Sequence, residues 1–261
     1  MASSRDPDLE GTRPQDPLPA PALAELPMGE ALSGELAELE VRITTCRRCP
    51  RLVEWRERKA EEKRRAFEDE TYWGRPVPGW GNPDARLLVV GLAPAAHGAN
   101  RTGRYFTGDE SGRWLYRALH RFGYASQPES VARGDGLELS DCFVTGAVRC
   151  APPDNRPTPE ERRSCRPYLE AEIDLLTEVE VIVALGKFAY DHVLRIFRDR
   201  GHPVPSPKPP FAHTREVEPG PDVPRLIASY HPSQQNTFTG VLTEAMFDDV
   251  FRRARERIEG G

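Results

Sequence analysis

Arg86-Leu87-Leu88-Val89-Val90-Gly91-Leu92-Ala93-Pro94-Ala95-Ala96-His97-Gly98 passes from an unbroken apolar stretch straight into glycine-rich chain. A short continuous run of branched aliphatics with no polar alternation reads as a strand buried on both faces, the kind found in parallel sheets. Similar runs follow at residues 142–148, 179–185 and 225–230. Helix-length amphipathic segments separate or follow them, at residues 111–122, 159–176, 187–197 and 241–258. This alternation predicts an α/β fold, a three-layer α/β/α sandwich around a central, mainly parallel four-stranded sheet. Thr158-Pro159-Glu160-Glu161 marks one helix start, with Thr as cap, Pro in the first turn and acids at the positive end of the dipole. Residues 206–210 read as a proline-rich loop.

In such sheets ligands collect beyond the carboxyl ends of the strands. Two unusual loops fall there, residues 91–112 after the first strand and residues 231–240 after the last. The glycines at 91, 98, 103, 108 and 112 fit neither G-x-G-x-x-G nor a Walker A loop, so phosphate binding in those styles lacks support. Among them stand His97, Asn100, Asp109, Tyr105 and Phe106, a set that suits a flat, polar ligand. An aromatic face can stack on a base while amides and backbone groups read its edge. Asp109 is the candidate to orient or deprotonate a water. A histidine in a loop beside the core is more often structural than catalytic, but His231 shares the predicted ligand face.

Cys46 and Cys49 form a C-x2-C pair, while Cys150 and Cys165 lie about a hundred residues downstream with fourteen residues between them. This is not the spacing of a zinc ribbon. An iron–sulfur cluster accepts irregular spacing, since four thiolates need only converge in space. Pro50, Pro152, Pro153 and Pro167 stand beside these cysteines and would stiffen the loops that carry them. Buried, inert thiols are the plain alternative, and Cys142, inside an apolar run, is expected in the core. Disulfides are disfavoured by the expected compartment. The first 39 residues lack the basic and apolar regions of a signal peptide, and no run approaches the roughly 20 apolar residues of a membrane span. A cytosolic protein keeps its thiols reduced.

Residues 1–40 carry six prolines and nine acidic against two basic residues, a charge of −7. They read as a disordered acidic tail, with one domain in residues 41–261. Subtracting −7 from the whole-chain −5 leaves +2 for that domain, so mild overall acidity does not exclude a nucleic-acid ligand. Residues 46–65 hold nine Lys or Arg and four Glu, with Leu52, Val53 and Trp55 suggesting a helix packed on one side. Such a helix is usually a solvated face; beside a metal-clamped loop it can also meet phosphates.

Together these segments resemble the type 5, or type B, iron–sulfur branch of the uracil-DNA glycosylase superfamily. The resemblance rests on Gly91-Leu92-Ala93-Pro94-Ala95-Ala96-His97-Gly98 with Asn100-Arg101-Thr102-Gly103, on Phe106-Thr107-Gly108-Asp109, on Val148-Arg149-Cys150-Ala151-Pro152-Pro153, on the four cysteines, and on His231-Pro232-Ser233 with Asn236-Thr237. It implies a [4Fe-4S] cluster held by Cys46, Cys49, Cys150 and Cys165. It also implies a monomeric enzyme that flips a deaminated base out of double-stranded DNA and hydrolyses its N-glycosidic bond. Phe106 then stacks on the base, Gly91, Ala93 and Ala95 complete its pocket, and His231 donates to the oxygen where negative charge gathers. Ser233 and Asn236 anchor the last loop on the DNA, and Phe238, Val241 and Leu242 read either as apolar wedges that fill the gap left by the flipped base, with Phe238 and Leu242 as the DNA contacts, or as a hydrophobic face opening the last helix. Leu92 and Ala93 stand where many relatives carry a polar residue, so the water-handling role either is dispensable or comes from elsewhere, with Asp109 as the candidate and His97 and Asn100 as second choices. The competing readings are a non-catalytic nucleic-acid-binding iron–sulfur module and a redox iron–sulfur protein.

Overall fold

The computed structural model describes residues 34–260. Among them, a mixed sheet contains six strands: β1 (Trp80–Gly81), β2 (Leu87–Gly91), β3 (Cys142–Gly146), β4 (Val181–Leu185), β5 (Glu216–Val217) and β6 (Arg225–Ser229). Their spatial order is β1-β3-β2-β4-β6-β5. The four apolar runs are the four central, mutually parallel strands. The two strands not anticipated are two-residue antiparallel edges, too short to carry a periodic signal.

The pleat sends alternate residues to opposite faces. Leu87, Val89, Val144, Val181, Val183 and Ile227 enter one core. Leu88, Val90, Phe143, Ile182, Ala184, Leu226 and Ala228 enter the other. The first face is covered by α4 (Glu110–Arg121) and α8 (Glu244–Glu259), the second by α5 (Pro159–Leu175) and α6 (Lys187–Asp199). Cys142 lies wholly buried in the first core, as expected. The Thr158 side chain caps α5 in a reciprocal capping box with Glu161.

Two helices precede the sheet, α1 (Gly34–Thr44) and α2 (Pro50–Glu62), and two short ones stand in the loops, α3 (Ala99–Thr102) and α7 (Gln234–Phe238). Helix α1 corrects the boundary at residue 40. Residues 34–40 are helical, and Leu36, Leu39 and Ile43, spaced along one helix face, are buried in contact with the body of the protein. The remainder of the acidic tail lies outside the described residues.

Candidate active site and cysteine-lined cavity

The parallel strands deliver four chain segments to one end of the sheet. Beyond β2 and β3 the pairing continues: Ala147 N–H donates to the Gly91 carbonyl and Val148 N–H to Leu92, both at 3.0 Å. Beyond β4 and β6, Gly186 N–H donates to the Ser229 carbonyl at 2.7 Å. Gly91, Gly146, Gly186 and His231 therefore form a continuous floor at the strand ends.

Phe106 lies over that floor. A Cβ on Gly91 would fall 2.7 Å from its ring, so the strand end must be glycine for the aromatic to settle there. Its neighbour Tyr105 lies over Gly146 in the same way and donates its hydroxyl to the Val148 carbonyl at 2.8 Å. Phe106 is held at φ 54, in the left-handed region that bulky side chains rarely enter. Its ring and that of His231 are neighbours, 6.1 Å apart between centroids and tilted by 34°. The two residues assigned to base stacking and hydrogen-bond donation thus meet.

The His231 backbone is fastened from its own loop. Its carbonyl accepts from Ser233 N–H and from the Asn236 side-chain amide, each at 2.8 Å. Ser233 also caps α7, its hydroxyl accepting from Asn236 N–H. Ser233 and Asn236 therefore shape the histidine loop before any ligand arrives. Gly186, at φ 93, packs against His231. Enclosure by protein pushes the His231 pKa down to about 4, although the residue as a whole is only half-buried. A neutral imidazole faces the pocket at pH 7.

Asp109 is the N-cap of α4. One carboxylate oxygen accepts from Gly112 N–H at 2.9 Å, and the other lies against Gly98, which has no room for a side chain. Burial raises its pKa, against the opposing pull of that hydrogen bond and of the Arg101 charge. His97 is half-buried with Nδ1 3.0 Å from the Tyr72 hydroxyl, and burial followed by the charges of Arg64, Lys59 and Arg101 lowers its pKa.

Two assignments from sequence are corrected. Asn100 is wholly buried, and its amide donates to the Arg56 carbonyl at 3.1 Å; it bolts α3 to α2 and has no opening to a substrate. Leu242 is also wholly buried, in the first core, so it cannot reach DNA, whereas Phe238 is 76 % exposed and Val241 48 %. Ala93 packs towards the cysteine-bearing corner, and the Ala95 carbonyl is taken up by the N–H groups of Gly98 and Asn100.

Cys46 follows α1, Cys49 is the N-cap of α2, Cys150 follows β3 and Cys165 lies inside α5 rather than on a loop. All four are free and line one cavity of about 310 Å³, counting the space open to solvent, together with Leu52, Val53 and Tyr168. Among the described residues no three His, Cys, Asp or Glu side chains gather as a site for a single metal ion. Donors do point at the sulfurs. Arg56, 2 % exposed, reaches Cys150 Sγ at 3.1 Å, and Arg149 N–H reaches Cys165 Sγ at 3.2 Å. The Arg149 side chain is paired with Glu172 at 2.6 Å in full burial, and Glu172 also accepts from Thr145 and from Gly79 N–H. Sequence reasoning passed over Arg56, one of nine cations in its segment. Glu172 carried a signal, standing two helical turns beyond Cys165 on the same face of α5.

The basic stretch divides in the same way. Arg47, Arg58 and Lys59 are paired with glutamates, while Arg64 and Arg65 are exposed just beyond the end of α2. Among the described residues no helix is long and apolar enough to cross a membrane.

Comparison with known proteins agrees with this geometry. Residues 78–255 match the family model described as Uracil DNA glycosylase superfamily. The chain is 55 % identical over 225 residues to the type-5 uracil-DNA glycosylase of Mycobacterium tuberculosis, covering 86 % of this chain and 82 % of that one. To the type-5 enzyme of Thermus thermophilus it is 53 % identical, over 82 % of this chain and 94 % of that one. To the type-4 enzyme of Thermotoga maritima identity falls to 34 %, over 49 % and 62 % of the two chains. A glycine floor under an aromatic, a histidine loop at the far strand end and near full-length similarity to type-5 proteins carry one conclusion: the chain belongs to the uracil DNA glycosylase superfamily, in its type-5 branch.

Proposed function

We propose that this protein is a monofunctional uracil-DNA glycosylase that flips uracil out of double-stranded DNA and hydrolyses its N-glycosidic bond, leaving an abasic site. The observation that carries the proposal is the meeting of Phe106, seated on Gly91, with His231, seated on Gly186. The bond between the sugar C1′ and the base nitrogen breaks with its electron pair going to the base, and water oxygen then bonds to C1′ while its proton is released. Phe106 offers the stacking face, and neutral His231 donates to the base oxygen as negative charge develops. A preorganised donor of this kind contributes about 3 to 4 kcal/mol to the barrier reduction. Asp109, with one oxygen committed to capping and the other lying against the pocket loop at Gly98, is the residue we assign to hold the attacking water.

Leu92 and Ala93 give the pocket no side-chain polar group with which to reject purines, so hypoxanthine and xanthine are proposed as further substrates. Phe238 is the wedge that fills the gap left by the flipped base, and exposed Arg64 and Arg65 are the first phosphate contacts to consider. The protein acts as a monomer, in the compartment that holds the chromosome.

Cys46, Cys49, Cys150 and Cys165 are proposed to hold a [4Fe-4S] cluster. The fit rests on four thiols around one cavity, with the Arg56 guanidinium and the Arg149 N–H aimed at the sulfurs in the manner that thiolate ligands require. When bound, it supplies cross-linking of α1, α2, the β3 loop and α5 near the DNA rather than a catalytic step. Cys150→Ala should lose iron and fold together; a stable, colourless, fully active variant would overturn the assignment. The activity is tested with end-labelled duplexes holding a single uracil, hypoxanthine or xanthine, followed by hot alkali. Scission at the lesion is expected. A brown, folded preparation that leaves every duplex intact would favour a binding module instead.

A further inference from the structure

His213 is assigned nothing by the reading above, yet both of its ring nitrogens are committed. Tyr230 N–H donates to Nδ1 at 3.1 Å, and Nε2 is 3.0 Å from the Met246 carbonyl in the first turn of α8. A backbone N–H can only donate, so Nδ1 holds a lone pair and the proton sits on Nε2. The tautomer follows from the bonding. The ring also lies 5.0 Å from that of Tyr230, which packs on Phe211 from another direction at 5.9 Å.

The backbone beside it is bent to make this possible. Thr214 has φ 58, an outlier for a β-branched residue, and its hydroxyl donates back to the His213 carbonyl at 2.7 Å. Strain of this kind persists only where the surroundings over-determine it, and it concentrates at functional sites. Here it turns His213 towards the chain that leaves β6. Tyr230 is the residue immediately before His231.

We propose that His213 is a positioning residue for His231, acting through the Tyr230 peptide N–H and anchored to α8 through Met246. It touches no substrate. His231 is held on its carbonyl side by Ser233 and Asn236 and by the packing of Gly186; on its amino side the Ser229–Tyr230 peptide is held at its carbonyl by Gly186 N–H, and His213 adds the second restraint, at the peptide N–H, that fixes its tilt. The inference rests on the catalytic reading of His231, and its test is built to fail separately from that reading.

The test compares His213→Asn, His213→Gln and His213→Leu. The asparagine oxygen takes the place of Nδ1 and can still accept from Tyr230, the glutamine amide takes that of Nε2 and can donate only to Met246, and leucine does neither. With single-turnover excision from a uracil duplex, Asn is expected to stay within about threefold of the parent. Gln and Leu are expected to fall roughly tenfold or more in the maximal rate, with Kd for the duplex unchanged (tenfold being about 1.4 kcal/mol). Thermal melting verifies that each variant is folded. A merely structural residue would give equal losses in all three, or a loss in affinity alone, and either result overturns the proposal. Imidazole 15N spectra decide the matter without turnover: His213 should be the Nε2–H tautomer at pH 7, and the His231 signals should move in Leu and Gln but not in Asn. Unchanged His231 signals in every variant would equally overturn it. If the parent excises no uracil while these spectra behave as expected, the function is wrong and the positioning stands.

Discussion

At the scale of single residues, the site depends on side chains that serve structure and chemistry at once. Asp109 caps α4 and also presents a second oxygen towards the pocket loop. The two duties separate by substitution. Asp109→Asn retains an amide oxygen for capping, so stability should stay within about 0.5 kcal/mol, whereas Asp109→Ala should lose about 1 kcal/mol. Both should slow uracil excision if the carboxylate holds the water; unchanged single-turnover rates in Asp109→Asn would remove that role. Residue chemistry was legible from sequence where the position was exposed by its context, as with Phe106 among glycines and His231 between strand end and proline. It was not legible for Asn100, because a motif shows which residue is present but not whether its amide turns to a ligand or to a neighbouring backbone. His213 offered no signal, since its role comes from a bend at Thr214 and from a chain segment that is remote in sequence.

At the scale of elements, the four core strands could be read almost to their ends because each is buried on both faces and so is apolar without interruption. The two edge strands and α1 could not. Two residues make no pattern, and the three buried positions of α1 are embedded in glutamates that extend the composition of the tail. The turn between α7 and α8 shows the same limit, with exposed Phe238 and buried Leu242 only four residues apart. Phe238→Ala should leave stability within about 0.5 kcal/mol and slow excision from duplex roughly tenfold while sparing single strands, equivalent to about 1.4 kcal/mol. Leu242→Ala should cost about 2 to 5 kcal/mol of stability. Denaturant titration with paired duplex and single-strand assays separates the two. The buried Arg149–Glu172 pair ties β3 to α5 beneath the cysteines. Glu172→Gln leaves an arginine buried without its counter-charge, so unfolding should become easier by about 3 to 5 kcal/mol. Iron content per chain should fall with it.

For the whole molecule, the histidines set the response to mild acid. His97, His192, His213 and His231 all hold pKa values below the usual one through burial, with His192 and His231 pushed down to about 4. In the unfolded chain they return to about 6.5, so unfolding takes up protons between about pH 6.5 and 4, and stability falls as pH drops through that window. Asp109, with its pKa raised, works in the opposite direction. The net loss should be roughly 2 to 4 kcal/mol, read as denaturant midpoints at pH 7.0, 5.5 and 4.5, and His192→Leu should flatten the slope; a profile level with pH in both proteins would contradict the assignment. The sheet itself has a different consequence. Among the described residues it stops after two antiparallel residues on either flank, in β1 and β5. An approaching chain finds only a few free peptide groups there, far fewer than a full-length edge would offer as a template for growth. Copies that meet at high local concentration therefore find little on which one sheet could zip into the next.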